Sequence, residues 1–158
     1  MSEARKQPLR IEDVLREKGL YVSTTAGVSM YPMLRDRRDT IMIRPVEGRL
    51  KKYDVPLYRR GEAYVLHRIV KVLPDSYVIC GDNCFKKEYG IREEQILGVL
   101  DGFCRDGKQV DMDGIPYRLY VRSWVLLYPV RACWKRLRIA LGRVKQLSLI
   151  HIFRAHET

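Results

Sequence analysis

The chain has 158 residues, of which 46% are hydrophobic and 31% charged, and its formal net charge is +11. This length and composition indicate one folded domain with its own core. The longest uncharged apolar stretch near the C-terminal end, SWVLLYPV at 123–130, is far shorter than the roughly 20 residues that span a bilayer. Residues 1–20 are charged throughout, so no signal peptide is expected, and we predict a cytoplasmic or peripheral membrane protein.

The four cysteines follow neither a zinc pattern nor a disulfide framework. There is no CxxC pair, and no histidine cluster lies near Cys80 and Cys84 to complete a zinc site. We therefore predict reduced thiols in a reducing compartment, with no metal and no other cofactor.

The first predicted element is a short helix at 11–19, with Ile11, Val14 and Leu15 on its apolar side and a glycine at its end. Strands are predicted where β-branched and aromatic residues lie between Gly, Pro and Asp turns. These strands cover 21–25, 40–45, 55–60, 63–73, 76–80 and the latter part of 93–104. Asp106-Gly107 is then typical of a hairpin turn.

These elements predict a mainly β fold with a short N-terminal helix and a C-terminal amphipathic basic helix. The expected segments are a helical lead-in at 1–20, a β-rich domain at 21–112 and a basic C-terminal segment at 113–146. Within the last, Pro129–Lys145 is predicted as a helix, because its apolar residues recur at helical spacing. The residues that share its apolar side are Val130, Cys133, Trp134, Leu137, Ala140, Leu141 and Val144.

The C-terminal segment is strongly basic: from Tyr117 to Lys145 there are eight Lys or Arg residues and no acidic residue. One interpretation is an in-plane helix on an anionic membrane surface, formed by Pro129–Lys145. A second is packing of the apolar side on the β-rich domain. Nucleic acid is the least favoured partner, because no DNA-binding motif is present.

The last twelve residues, LSLIHIFRAHET at 147–158, resemble the translation of a sequencing adapter. We exclude them from functional reasoning, as one excludes an expression scar. Their two histidines, His151 and His156, are then not candidate ligands or bases.

Five short strings occur in a fixed order along the chain. They are GVSMYPML at 27–34, RRDTIMI at 37–43, YVLHRIVKV at 64–72, YVICGDN at 77–83 and ILGVL at 96–100. Together they resemble the serine peptidase superfamily that contains signal peptidase I and the self-cleaving LexA-type repressors. The histidine string is similar to the archaeal and endoplasmic-reticulum signal peptidases, since bacterial enzymes carry lysine at that place. The resemblance implies a signal-peptidase/LexA-like β-rich catalytic domain.

The resemblance implies that Ser29 is the nucleophile and His67 its base. A serine hydroxyl needs a base within hydrogen-bond reach, and histidine can take the proton and return it to the leaving amine. An acidic group would fix the tautomer of the imidazole and stabilise its cation. The resemblance points to two acids, Asp82 of the Gly-Asp-Asn string and Glu88, and Asp82 is the preferred one. Lys86–Glu88 departs from the family, whose His-type members usually carry aspartates there.

The surroundings of Ser29 complete the predicted site. Many signal peptidases have a serine two residues before the nucleophile, whereas this chain has Gly27, so the oxyanion would be bound by backbone N–H groups, chiefly that of Ser29. Met30 and Pro32 are assigned to substrate binding. The resemblance implies a polypeptide precursor with small residues near the scissile bond as substrate. The alternative is a catalytically silent protein that binds peptides or a membrane surface on the same scaffold.

Overall fold

The computed structural model describes the backbone of residues 10–154 and the side chains of residues 10–142. The described part is mainly β and confirms the coarse fold class predicted from the sequence. Its helices and strands are α1 (Ile11–Lys18), β1 (Tyr21–Thr24), β2 (Thr40–Arg44), β3 (Pro56–Arg60), β4 (Ala63–Leu66), β5 (Arg68–Val72), β6 (Tyr77–Cys80), β7 (Glu88–Ile91), β8 (Ile96–Arg105), β9 (Lys108–Gln109), α2 (Ile115–Leu126) and α3 (Tyr128–Arg154).

The strands form two antiparallel sheets. The larger has the order β1-β2-β8-β3-β4, with β9 paired to β8, and the smaller has the order β5-β6-β7. The ten-residue β8 lies in the middle of the larger sheet and pairs with both β2 and β3. Strands β1 and β4 are therefore the two edges of this sheet.

Two apolar clusters hold these layers together. One joins α1 to the larger sheet and contains Leu15, Ile43 and Phe103. The other lies against the smaller sheet and contains Tyr58 and Ile79. The alternating apolar residues of the strands therefore face the core, as expected for half-buried sheets. The predicted Asp106-Gly107 turn is confirmed: it joins β8 to β9, and both residues have positive φ, at 50° and 77°.

The single strand predicted at 63–73 is wrong. The structure divides it into β4 and β5, which belong to different sheets, and His67 lies at the break. The sequence gives no Gly, Pro or Asn at this point, so the local pattern contains no sign of the change of sheet. The break brings His67 to a corner of the fold instead of the middle of a ladder.

Two elements were missed from the sequence, β7 and α2. Helix α2 begins after Gly114 with Pro116 in its first turn, which is a usual helix start. Its inward side consists of the buried Val121 together with Tyr117, Tyr120 and Trp124, whose rings carry polar atoms. A pattern search for aliphatic residues therefore overlooks it. Within the described residues, no helix has both the length and the apolar character needed to cross a membrane.

Candidate active site

Ser29 lies in a compact turn between β1 and β2. Gly27 has φ of 90°, a conformation that favours glycine, and its amide donates to Asp36 Oδ1 at 2.7 Å. Met30 is buried in the core at 4% exposure, which anchors the turn next to the serine. Ser29 itself is half-buried, so its side chain is neither sequestered in the core nor fully in solvent.

A second loop, Gly81–Phe85, holds the serine turn in place. The Asn83 amide donates to the Ser29 carbonyl at 2.8 Å, and Asn83 Nδ2 donates to the Val28 carbonyl at 3.1 Å. In both hydrogen bonds the serine turn supplies the acceptor, a backbone carbonyl oxygen, and neither bond uses an amide of the turn. Within residues 10–142 the Ser29 amide donates no backbone hydrogen bond, so it is available to an incoming oxyanion.

His67 reaches the serine turn from the corner between β4 and β5. A Cβ atom at Gly81 would lie 3.0 Å from His67 Nε2 and 2.7 Å from the Ser29 carbonyl oxygen. The Nε2 side of the ring and the serine turn therefore flank the same small space. A larger residue at position 81 would fill that space, and this close approach accounts for the glycine of the Gly-Asp-Asn string.

The other ring nitrogen of His67 contacts Glu88, which is the first residue of β7. The distance from His67 Nδ1 to Glu88 Oε1 is 3.1 Å. The same oxygen accepts from Tyr58 Oη at 2.8 Å and from Arg60 Nη1 at 3.1 Å. Burial raises the pKa of the Glu88 carboxyl, but the Tyr58 hydrogen bond and the Arg60 charge outweigh this effect and lower it below its ordinary value.

An ionised Glu88 fixes the state of the imidazole. A carboxylate can only accept, so Nδ1 carries the proton and Nε2 is left with the lone pair that faces the serine turn. Burial lowers the pKa of His67 below its ordinary value of 6.5, although the Glu88 charge acts in the opposite direction. The ring is therefore neutral near pH 7 and can accept a proton.

Asp82, the acid preferred from the sequence, does not contact His67. Its two carboxylate oxygens accept from Arg68 Nε and Nη2 at 2.9 and 2.8 Å, and Tyr120 Oη donates to Oδ2 at 3.1 Å. Arg68 is fully buried and needs a counter-charge, which Asp82 provides. The preference for Asp82 as the partner of His67 is thus corrected, and Glu88 has that position.

Side chains of α2 and α3 donate to three backbone carbonyls of the Gly81–Phe85 loop, an arrangement that we call the C-terminal clamp. The donors are Trp124 Nε1 and Arg131 Nη1 to the Asp82 carbonyl (2.9 and 2.7 Å), Lys135 Nζ to that of Asn83 (2.6 Å) and Tyr128 Oη to that of Phe85 (2.6 Å). Sequence reasoning missed these contacts. The regular spacing of Tyr117, Tyr120, Trp124 and Tyr128 was the signal that could have indicated a helix facing the domain.

A groove of about 420 Å³ opens beside Ser29 and His67. Its walls come from the sheet edges β1 and β4 and from the serine turn, and Met30 contributes to its floor. Pro32, the other residue assigned to substrate binding, does not line this groove. It borders a separate cavity of about 570 Å³ together with Tyr117 and Tyr120, so that assignment is corrected.

Cys84 also lines the groove, close to the serine turn. Burial raises the pKa of its thiol, so the thiol is protonated at neutral pH and is a weak nucleophile. All four cysteines are free. Cys84 is therefore a poor candidate for a nucleophile in this groove.

The structure brings together Ser29, His67, Glu88 and Met30, and it places Asp82 and Pro32 behind them. It adds Tyr58 and Arg60 as partners of Glu88, which could not be read from local strings because they lie on another strand. Comparison of the sequence with models of protein families and with characterised proteins finds no match.

Proposed function

We propose that this protein is a serine endopeptidase in which Ser29 is the nucleophile, His67 the general base and Glu88 the supporting acid. One observation carries the proposal: His67 has an ionised carboxylate on Nδ1, and its Nε2 faces the serine turn at the edge of an open groove. This is the arrangement that nucleophile, base and orienting acid require.

In the proposed reaction, Ser29 Oγ attacks a peptide carbonyl while His67 Nε2 takes its proton. The Ser29 amide stabilises the oxyanion, and Glu88 stabilises the imidazolium. His67 then gives the proton to the leaving amine, and an acyl ester forms on Ser29. Water, activated by His67, hydrolyses the ester and restores the enzyme.

The groove fits an extended polypeptide. Its two long walls, β1 and β4, are sheet edges whose outer backbone groups have no strand partner within the described sheet. Such edges bind extended peptides through main-chain hydrogen bonds, and adjacent pockets select side chains. We propose a precursor or leader peptide as substrate, with small residues near the scissile bond, and a signal-peptidase/LexA-like fold, as the resemblance of Gly27–Leu100 implies.

The test is labelling of the full chain with a fluorescent serine-directed acylating probe at several pH values. Ser29→Ala and His67→Ala are expected to abolish labelling. Ser23→Ala is the matched control, because Ser23 lines the same groove without contacting His67, and it should label normally. Labelling should rise with pH through a midpoint below 6.5, the ordinary pKa of histidine, as the buried imidazole loses its proton.

Two outcomes would contradict the proposal. Persistent labelling of the Ser29→Ala variant would place the nucleophile elsewhere. Absence of labelling in a wild-type chain shown to be folded by circular dichroism would favour the alternative, a silent peptide-binding protein that uses the same groove.

A further inference from the structure

Helix α3 carries a stripe of exposed apolar side chains. Its members are Val130, Trp134, Leu137 and Leu141, with exposures of 64, 62, 49 and 54%. Their spacing of four, three and four residues places them within a narrow arc of the helix. We call these four residues the outer stripe. An exposed, contiguous stripe that includes a tryptophan is unusual on a soluble surface and marks an interaction site.

The other side of the same helix faces the β-rich domain. Arg131 and Lys135 belong to the C-terminal clamp and donate to the Gly81–Phe85 loop. Two cations of α3 thus contact the β-rich domain while four apolar residues of the same helix are exposed, which reverses the usual orientation of a surface helix. Arg136 and Arg138 are exposed as well. The interpretation in which the apolar side packs on the β-rich domain does not hold for the outer stripe.

Helix α2 has exposed apolar residues as well. Ile115, Leu119 and Leu126 are exposed at 72, 62 and 78%, and Arg118 and Arg122 are exposed on the same helix. Both helices thus present apolar and basic residues to solvent.

The charge of this surface decides what can cover it. Between Gly114 and Gly142 there is no acidic residue, and four of the six basic residues are exposed: Arg118, Arg122, Arg136 and Arg138. A second copy of the chain would bring these cations against their own kind, which is unfavourable. A nucleic acid would satisfy the charges but would leave the outer stripe in water. A surface of anionic lipid satisfies both, because its phosphates attract the cations and its acyl boundary accepts the apolar residues.

We propose that α2 and α3 dock this protein on an anionic lipid surface, with the outer stripe inserted at the acyl boundary and the exposed arginines among the headgroups. The proposal does not depend on the proposed peptidase activity. It commits to the phosphate-bearing lipid bilayer as the partner, and the charge and apolar character of the exposed side chains of the two helices carry it.

The test is co-sedimentation of the full chain with vesicles of phosphatidylcholine alone and of phosphatidylcholine mixed with phosphatidylglycerol. We expect binding to the mixed vesicles, a weaker interaction at high salt and little binding to phosphatidylcholine alone. The double variant Trp134→Glu, Leu137→Glu should lose binding by at least about tenfold, because charged groups at the acyl boundary oppose insertion. Arg136→Glu with Arg138→Glu should weaken binding to the anionic vesicles by about tenfold or more.

Leu20→Glu is the matched control, since Leu20 is an exposed apolar residue outside the two helices and should leave binding unchanged. Equal binding of the wild type and the outer-stripe variant would overturn the proposal, as would failure of a folded wild-type chain to bind mixed vesicles. Concentration-dependent dimerisation that the outer-stripe variant abolishes, in the absence of lipid, would assign the surface to a second copy instead.

Discussion

His67 and Arg68 are neighbours in the chain, yet each has its own carboxylate in a different environment. The His67 partner, Glu88, keeps 22% of its side chain exposed, and His67 itself lines the open groove. The Arg68 partner, Asp82, is 3% exposed and accepts hydrogen bonds from Arg68 and Tyr120. One pair includes a residue that lines the groove, whereas the other is closed to solvent.

The two ion pairs therefore hold different parts of the structure in place. A buried ion pair adds little net stability compared with apolar residues, but loss of one partner leaves an uncompensated charge in the core. Asp82 therefore fixes the position of the Gly81–Phe85 loop, and Glu88 fixes the state of His67. The two acids looked alike in the sequence but have separate partners, because His67 and Arg68, which are consecutive, project to opposite sides at the sheet corner.

Removal of the Asp82 charge should have the largest effect. Asp82→Asn leaves the buried Arg68 without a counter-charge and should lower the free energy of unfolding by roughly 3–5 kcal/mol, measured by urea denaturation. The control is Asp101→Asn, whose partner Arg44 is exposed, and the expected loss there is below about 1 kcal/mol. Equal losses of unfolding free energy in the two variants would show that the buried Arg68–Asp82 pair contributes no more to stability than the exposed Arg44–Asp101 pair.

Replacement of Glu88 should affect activity more than stability. Glu88→Gln removes the charge that raises the pKa of His67, so the midpoint of the pH profile of labelling should move further below 6.5. The labelling rate should fall by about a hundredfold, the lower end of what a positioned acid–base group contributes. Glu93→Gln, which also replaces a carboxylate that accepts from a tyrosine, is the control and should leave both unchanged. A midpoint that moves upward would refute the assigned role.

The C-terminal clamp should give an intermediate effect. Arg131→Met removes one donor to the Asp82 carbonyl, which still accepts from Trp124, so the free energy of unfolding should fall by about 1–2 kcal/mol. The labelling rate should fall without any movement of the pH midpoint, because the ionisation of His67 is not changed. Arg136→Met, on the exposed side of the helix, should alter neither quantity. A moved midpoint in Arg131→Met would mean that the clamp acts on the imidazole directly.

The Tyr58 hydroxyl should give the smallest effect. Tyr58→Phe removes one of the donors to Glu88 and leaves Arg60 in place, so we expect a loss of about 1 kcal/mol in unfolding free energy. The Tyr58 bond lowers the pKa of Glu88, and its loss should raise that pKa. As the pH is lowered, labelling should therefore be lost at a higher pH than in the wild type. Tyr64→Phe, whose hydroxyl donates to Glu12 at the surface, is the control.

Much of the fold could be predicted from the sequence, because periodicity and turn residues are local signals. The strands on either side of the serine turn and the Asp106-Gly107 hairpin are found in this way. The residues of the candidate site were named from short strings, and Ser29, His67 and Glu88 do lie together in the structure. The role of each acid could not be predicted, since it depends on which side of the sheet corner each neighbour faces.

The remaining errors have separate physical origins. The break at His67 is determined by long-range packing and leaves no strong local pattern, whereas helix α2 was missed because most of its inward-facing residues are aromatic. Pro32 belongs to the same short string as Ser29, but the chain turns between them and places it at another cavity. Proximity in the sequence therefore does not by itself predict which cavity a side chain lines.

The C-terminal clamp has a consequence for how the chain can be divided. Lys135 Nζ donates to the Asn83 carbonyl, and the Asn83 amide donates to the carbonyl of Ser29, so two hydrogen bonds connect α3 to Ser29. A protein cut at residue 112 would lose every donor of the clamp and leave three loop carbonyls without them. Residues 21–112 are thus not a self-contained structural unit, and any fusion or circular permutation must keep the two helices with the sheets.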